Sequence, residues 1–273
     1  MDEERKYVRQ STVKRKLKAG QQVLVPKVCY LDPNLVEMLG LLGFDCVWIC
    51  SEYKAICPTT MENMIRASRA AGMDCVIRTG SNGIDDYARF LSMGANGLMI
   101  PHVPNPIQAR EVIAHAKYPP LGNRELENVN VDADFGLMPL QEYLATANEE
   151  TFIVVQIEDV QSVDRVEEIA GVEGIDVLFV GPADLSLSMG IPGQTRHAKV
   201  LEAIRRVAKA CEANGIACGA PAINPEHCEL LLHEGVRYLT GGSDWRILLR
   251  GFREMRHQYG QLGFTFREER LRS

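Results

Sequence analysis

The sequence predicts an α/β fold, a single parallel (β/α)8 barrel, and three observations carry that prediction. Eight short apolar, β-branched runs alternate with amphipathic segments of helical period. Glycine recurs just ahead of the strand-like runs (LLGFD, AAGMD, SMGANG, VEGID, ANGIA, HEGVR), which is the chemistry of a helix C-terminus handing over to a strand. The length, 273 residues, suits one barrel of about 250 residues better than two doubly wound sheets. The expected domain is therefore the whole chain, 1–273, with a core at about 20–260 and short charged ends outside it.

The elements follow in order. The first twenty residues are rich in Lys and Arg around a weak helical pattern and read as a solvated helix rather than a nucleic-acid arm. Strands are expected at 23–29, 46–50, 75–78, 97–100, 152–157, 176–180, 215–219 and 236–240. Helices are expected at 34–42, 59–71, 84–93, 106–116, 163–170, 197–214, 226–234 and 244–257. The longest irregular stretch, 118–138, falls between the fourth and fifth strands, and a loop of that length is usually functional or an interface.

Composition excludes several classes. Apolar residues make up 46% and charged residues 24%, which is globular rather than disordered. The net charge of −6 argues against a nucleic-acid partner. No apolar run reaches the ~20 residues of a membrane span. Eight cysteines show no metal-ribbon or C-x-x-C spacing, so they read as core residues of a cytoplasmic protein.

A parallel barrel carries its chemistry where the strands end at their C-terminal rim. The polar residues there are Glu52 and Tyr53, Arg78, His102, Gln156 and Glu158, and Asp184. Glu158 and Asp184 close neighbouring strands about 4.8 Å apart and can face one cation. Two carboxylates with open positions suit Mg2+ or Mn2+, and the same ligands admit Co2+. A helix N-cap for Asp184 and a rim salt bridge for Glu158 are the structural alternatives. The turn Gly181-Pro182-Ala183-Asp184 enters a helix and leaves backbone N–H groups free for a substrate carboxylate. Arg78 offers a fixed cation to a developing oxyanion. Cation plus arginine is the apparatus for a 2-oxo acid enolate, although phosphate or dicarboxylate sites use similar parts.

The run IVVQIEDVQSVDRVEEIAGVEGIDVLFVGPADLSLSMGIPGQ resembles the core of the HpcH/HpaI aldolases, metal-dependent pyruvate aldolases of the 4-hydroxy-2-oxoheptanedioate type. GFDCVWICSEY, VIRTG, GANGLMIPHVPNPIQAREVIAHAKYPPLGNR, EYLATANE and GGSDW extend the resemblance over roughly residues 14–260. It implies a barrel of the phosphoenolpyruvate/pyruvate type, a metal on Glu158 and Asp184, and Gln156 beside them. It also implies Arg78 on the oxo oxygen and a carboxylate cradle at Ala183 and Asp184. A hexamer assembled from three dimers that exchange the eighth helix is the implied assembly.

Three departures stand out. Where the family reads I-D-G-E-H, this chain reads Ile49-Cys50-Ser51-Glu52-Tyr53, so Tyr53 replaces the base histidine and Cys50 the aspartate. Ser92 replaces the acid that partners that histidine, and Gly122-Asn123-Arg124-Glu125 replaces G-I-R-G. Tyr53 and His102 are the two candidates to move a proton in its place. The remaining histidines, at 115, 197, 227, 233 and 257, read as structural. The expected function is a lyase acting on a 4-hydroxy-2-oxo acid through a pyruvate enolate. An oxaloacetate-type decarboxylase, an altered condensing enzyme and a non-catalytic 2-oxo-acid binder are the alternatives.

Overall fold

The computed structural model describes residues 10–80 and 84–269. Among the described residues nine strand segments, all parallel, run as β1 (Val23–Leu24), β2 (Lys27–Val28), β3 (Cys46–Cys50), β4 (Asp74–Arg78), β5 (Gly97–Ile100), β6 (Phe152–Ile157), β7 (Val177–Val180), β8 (Ala217–Ala222) and β9 (Val236–Gly241). β1 pairs with β9 and β2 with β3. The segment 23–28 is thus one barrel position that changes partner midway and closes the ring. Val25 N–H donates to Leu239 O at 2.8 Å on one side, and Trp48 N–H donates to Pro26 O at 2.9 Å on the other. Pro26 has no N–H to give, so the strand divides there. The eight positions match the expected (β/α)8 barrel.

Alternation along the strands sorts the core in two. Cys46, Trp48, Val76, Met99, Phe152, Val154, Val177, Phe179 and Tyr238 fill the barrel interior. Val47, Ile49, Ile77, Leu98, Ile153, Val155 and Leu178 face outward under the helices. Five helices begin with proline in the first turn, at Pro33, Pro58, Pro106, Pro182 and Pro225, where a missing N–H costs nothing. The glycines expected ahead of strands, including Gly43, Gly72, Gly94, Gly174, Gly215 and Gly235, take positive φ as C-caps must.

The structure corrects the element reading in several places. The N-terminal helix is Thr12–Lys18, and it is not solvated. Val13 is fully buried, Ser11 Oγ and Val13 N–H donate to Asp74, and Lys14 and Lys16 pair with Asp176 and Asp45. That helix stoppers the N-terminal end of the barrel and belongs to the domain; residues 1–9 lie outside the described residues. The helix expected at 163–170 is two short ones, Val160–Asp164 and Val166–Ala170, parted at Arg165. Leu140–Glu150 and Pro182–Ser188 are additional helices. The loop 118–138 carries its own small core, in which Tyr118, Ala133 and Met138 pack on Tyr143 and Ala147. Among the described residues no helix is long and apolar enough to cross a membrane.

Candidate active site

Arg78 ends β4 with its side chain directed into the barrel mouth, almost fully buried. Its guanidinium is held from several sides. Nη2 lies 2.9 Å from Glu52 Oε2, an ion pair whose alignment is poor for a hydrogen bond. Nε and Nη2 donate to Cys50 Sγ at 3.3 and 3.1 Å, and Nη1 donates to Gln156 Oε1 at 3.5 Å. The guanidinium also stacks over the Trp48 ring (5.0 Å) and the Tyr53 ring (5.4 Å). Such a planar cation, fixed in place, is preorganised to meet negative charge.

Glu158 follows β6 and is buried among few donors. Oε1 accepts the His102 N–H at 2.8 Å and lies 3.1 Å from His102 Nδ1; Oε2 accepts Gln156 Nε2–H at 3.2 Å. Gln156 therefore engages both ends of its amide, linking Arg78 to Glu158. Burial pushes the Glu158 carboxyl up, the His102 contacts oppose the shift, and the negative charges of Asp184 and Glu52 add to it. Gly181 is what allows this approach: a Cβ there would meet Glu158 Oε2 at 2.8 Å and Glu158 Cβ at 2.9 Å.

Gly181 is the N-cap of the helix Pro182–Ser188, so the N-cap alternative for Asp184 does not hold. Asp184 sits in the first turn, exposed. Gly181 N–H donates to Ile157 O, Pro182 has none, and Leu185 N–H donates back to Gly181 O. The first-turn N–H groups left without an acceptor in the helix are those of Ala183 and Asp184.

Glu52, Glu158 and Asp184 thus bring three carboxylates to one end of the barrel, and of these only Glu52 is paired with a permanent cation. Glu158 and Asp184 fit a hard divalent cation with oxygen ligands. Asp184 is open to solvent, which leaves room for the waters such an ion keeps. Among the described residues no three His, Cys, Asp or Glu side chains are grouped so that together they could hold a metal ion.

The two proton-transfer candidates differ. His102 adopts φ +55°, a left-handed backbone rare for a side-chain-bearing residue, held by its N–H bond to Glu158. Its ring stands between two buried carboxylates, Nδ1 toward Glu158 and Nε2 3.6 Å from Glu52 Oε1, and is half exposed to the mouth. Tyr53 is largely exposed, and its phenol is pushed up to about 12, first by desolvation and then by its hydrogen bond to Glu52 and that carboxylate's charge. Arg78 pulls the other way and loses. Tyr53 keeps its proton near neutrality, which suits a donor rather than a base. Ser92 is not brought to it: Ser92 Oγ accepts from Arg124 Nη2 at 3.2 Å.

Sequence reasoning passed over Lys27 and undervalued Glu52. Lys27 shares the pleat face of Val23 and Val25, both in the barrel interior, so it enters the mouth near Arg78. A cleft of about 730 Å³ lies at the opposite end of the barrel, lined by Lys14, Asp176 and Arg237, away from this chemistry.

The sequence model of the HpcH/HpaI aldolase/citrate lyase family matches residues 32–250. A 5-keto-4-deoxy-D-glucarate aldolase from Salmonella arizonae is 32% identical over 238 residues, covering 87% of this chain and 92% of that protein. A hydroxypyruvate/pyruvate aldolase from Sagittula stellata is 33% identical over 191 residues, 70% of this chain and 75% of that one. Among solved structures, the citrate synthase SbnG superposes with a TM-score of 0.85 at 30% identity, covering 93% of this chain and 99% of that chain.

Proposed function

The chain belongs to the HpcH/HpaI aldolase/citrate lyase family, and on that premise we propose that it is a metal-dependent carbon–carbon lyase acting on a 2-oxo acid, such as a 4-hydroxy-2-oxo acid, through a pyruvate enolate. The observation that carries the reading is Arg78, a buried guanidinium fixed by Glu52, Cys50 and Gln156 beside the carboxylates Glu158 and Asp184. Glu158 and Asp184 would hold Mg2+, Mn2+ or Co2+, and such an ion, when bound, supplies Lewis-acid polarisation of the oxo group.

The protein's own groups divide the remaining work. The N–H groups of Ala183 and Asp184 cradle the substrate carboxylate, and Gly181 and Pro182 shape that turn. Arg78 holds negative charge on the oxo oxygen as the enolate develops. His102, oriented by Glu158 and Glu52, takes the 4-hydroxyl proton that the family's histidine would take. Tyr53, protonated, donates a hydrogen bond at the mouth.

A second reading is favoured by Tyr53, which cannot act as a base at neutral pH. Decarboxylation of an oxaloacetate-type acid releases CO2 and leaves the same enolate without removing a hydroxyl proton, and a condensing enzyme would consume that enolate in forming a new carbon–carbon bond. Release of pyruvate from a 4-hydroxy-2-oxo acid and from oxaloacetate, each with and without Mn2+, separates the two. Metal-dependent cleavage of the hydroxy acid supports aldol chemistry, and turnover of oxaloacetate alone supports the second reading. No pyruvate from either rejects cleavage and decarboxylation alike and leaves an altered condensing enzyme or a non-catalytic 2-oxo-acid binder.

The assembly we propose is a homo-oligomer built through the last helix, Asp244–Gln261. Its only buried residue is Asp244, while Trp245, Leu248, Leu249, Phe252, Met255 and Tyr259 form an exposed apolar stripe at helical spacing. A hexamer is consistent with the family. The free cysteines fit a reducing, cytoplasmic setting.

A further inference from the structure

We infer that Lys27 is a second anion-binding residue of this site, which selects substrates carrying a carboxylate besides that of the 2-oxo acid group. The inference rests on the enolate reading above and extends it to what the far end of the substrate must bear.

The backbone fixes where Lys27 stands. It pairs with Trp48 on one side, donates its N–H to Gly242 O at 3.3 Å on the other, and bridges to Ser243. The next turn is tied down by Asp244, whose carboxylate accepts the N–H groups of Cys29 and Tyr30 at 2.6–2.8 Å. Around the ring of eight positions, Lys27 lies on the first and Glu158 follows the fifth, so the two face each other across the mouth.

The ammonium has little to hold it. It rests 4.4 Å above the Trp48 ring, the same ring that Arg78 covers at 5.0 Å. Among the described residues it makes no ion pair, and Glu52, a carboxylate in its field, is paired with Arg78. Its other charged or titratable neighbours are Cys50 and Cys29. The indole Nε1–H of Trp48 is buried without an acceptor. Lys27, which has no ion-pair partner among the described residues, and the orphaned indole N–H thus meet at one ring, while Arg78 on the same ring already has Glu52. Burial and the neighbouring Arg78 lower the affinity of Lys27 for its proton, and an arriving carboxylate relieves that cost.

A 2-oxo acid whose first carboxyl group is held at Ala183 and Asp184, after the sixth position, extends across the mouth toward the part of the ring that carries Lys27. A single ammonium with rotatable donors matches one carboxylate.

The test compares matched acids by calorimetric titration at saturating Mn2+: oxaloacetate against 2-oxobutyrate, and 2-oxoglutarate against 2-oxopentanoate. The native protein should bind at least one dicarboxylate about ten- to a hundredfold more tightly than its monocarboxylate partner, the range of one charge-assisted hydrogen bond. K27M should bring that ratio close to one and K27R should restore most of it, with thermal melts establishing that each variant is folded. No preference in the native protein, or a preference surviving in K27M, overturns the role of Lys27 while metal-dependent binding of the monocarboxylates preserves the enolate reading. Absence of metal-dependent binding by all four acids overturns both.

Discussion

Removing the Glu52 carboxylate probes how the site holds Arg78. The two side chains are 8% and 6% exposed and their charged atoms lie 2.9 Å apart. At an effective dielectric of about 20, Coulomb attraction at that distance is about 6 kcal/mol. Desolvation offsets much of this in the intact pair, but deleting one partner leaves the other buried and uncompensated, at a cost of about 3–5 kcal/mol. The Cys50 thiol and the faces of Trp48 and Tyr53 soften the loss, each contact with a ring contributing roughly 0.5–2 kcal/mol. Glu52→Ala should therefore destabilise the protein by about 3 kcal/mol, which lowers Tm by about 6–12 °C for a chain of this size. Thermal and urea unfolding in chelator checks this without any contribution from bound metal. The double variant Glu52→Ala with Arg78→Met should recover part of the loss, since no charge is then stranded. A change below about 1 kcal/mol in Glu52→Ala, or strict additivity in the double variant, would refute the claim that this pair fixes the guanidinium.

Three further outcomes follow from the structure. Gly181→Ala places a methyl group 2.8 Å from Glu158 Oε2; it should cost about 1–3 kcal/mol of stability and weaken Mn2+ binding at least about tenfold, and unchanged calorimetric affinity would contradict the close approach. Lys117 is buried, donates to Asn148 O and Thr151 O, and has its pKa lowered to about 7 from 10.5, chiefly by desolvation. The unfolded chain then binds the extra proton between those values, so native stability gains up to about 1.4 kcal/mol per pH unit over that window. Lys117→Met should lose that slope, and urea curves at pH 7.5 and 9.5 that shift in parallel for both proteins would contradict it. Phe252→Asp, on the apolar stripe of the last helix, should shift the sedimentation coefficient to that of a smaller species, and an unchanged assembly would show that the stripe is not the contact.

Much of this was legible in the residues because barrels announce themselves by period. The β-branched runs at 46–50 and 152–157 are β3 and β6 to the residue, and Glu158, Gln156 and Arg78 meet as their strand ends require. Less legible was whatever depends on a partner distant in sequence. Lys14 reads as a solvated charge until Asp176 and the carbonyl of Thr151 are found beside it. Glu52 is polar in any reading, but its hold on Arg78 exists only once β3 and β4 are in register, Cys50 opposite Arg78. Lys27 did carry a signal: a lone lysine in step with Val23 and Val25 must share their inward face. An apolar average over VLVPKVC hides it. His102 gave no warning of its left-handed backbone, which is imposed by the Glu158 carboxylate waiting for its N–H.

The claim on which the rest depends is that Arg78 and the Glu158–Asp184 pair make a pyruvate enolate. Exchange of the pyruvate methyl protons for deuterium, followed by proton NMR with and without Mg2+, reads that event alone, since uptake requires the enolate whatever the natural substrate. Enzyme- and metal-dependent loss of the methyl signal, abolished by Arg78→Met and by Glu158→Gln, is the expected result. A methyl signal that decays no faster with the metal-loaded protein than with the metal alone would contradict the account.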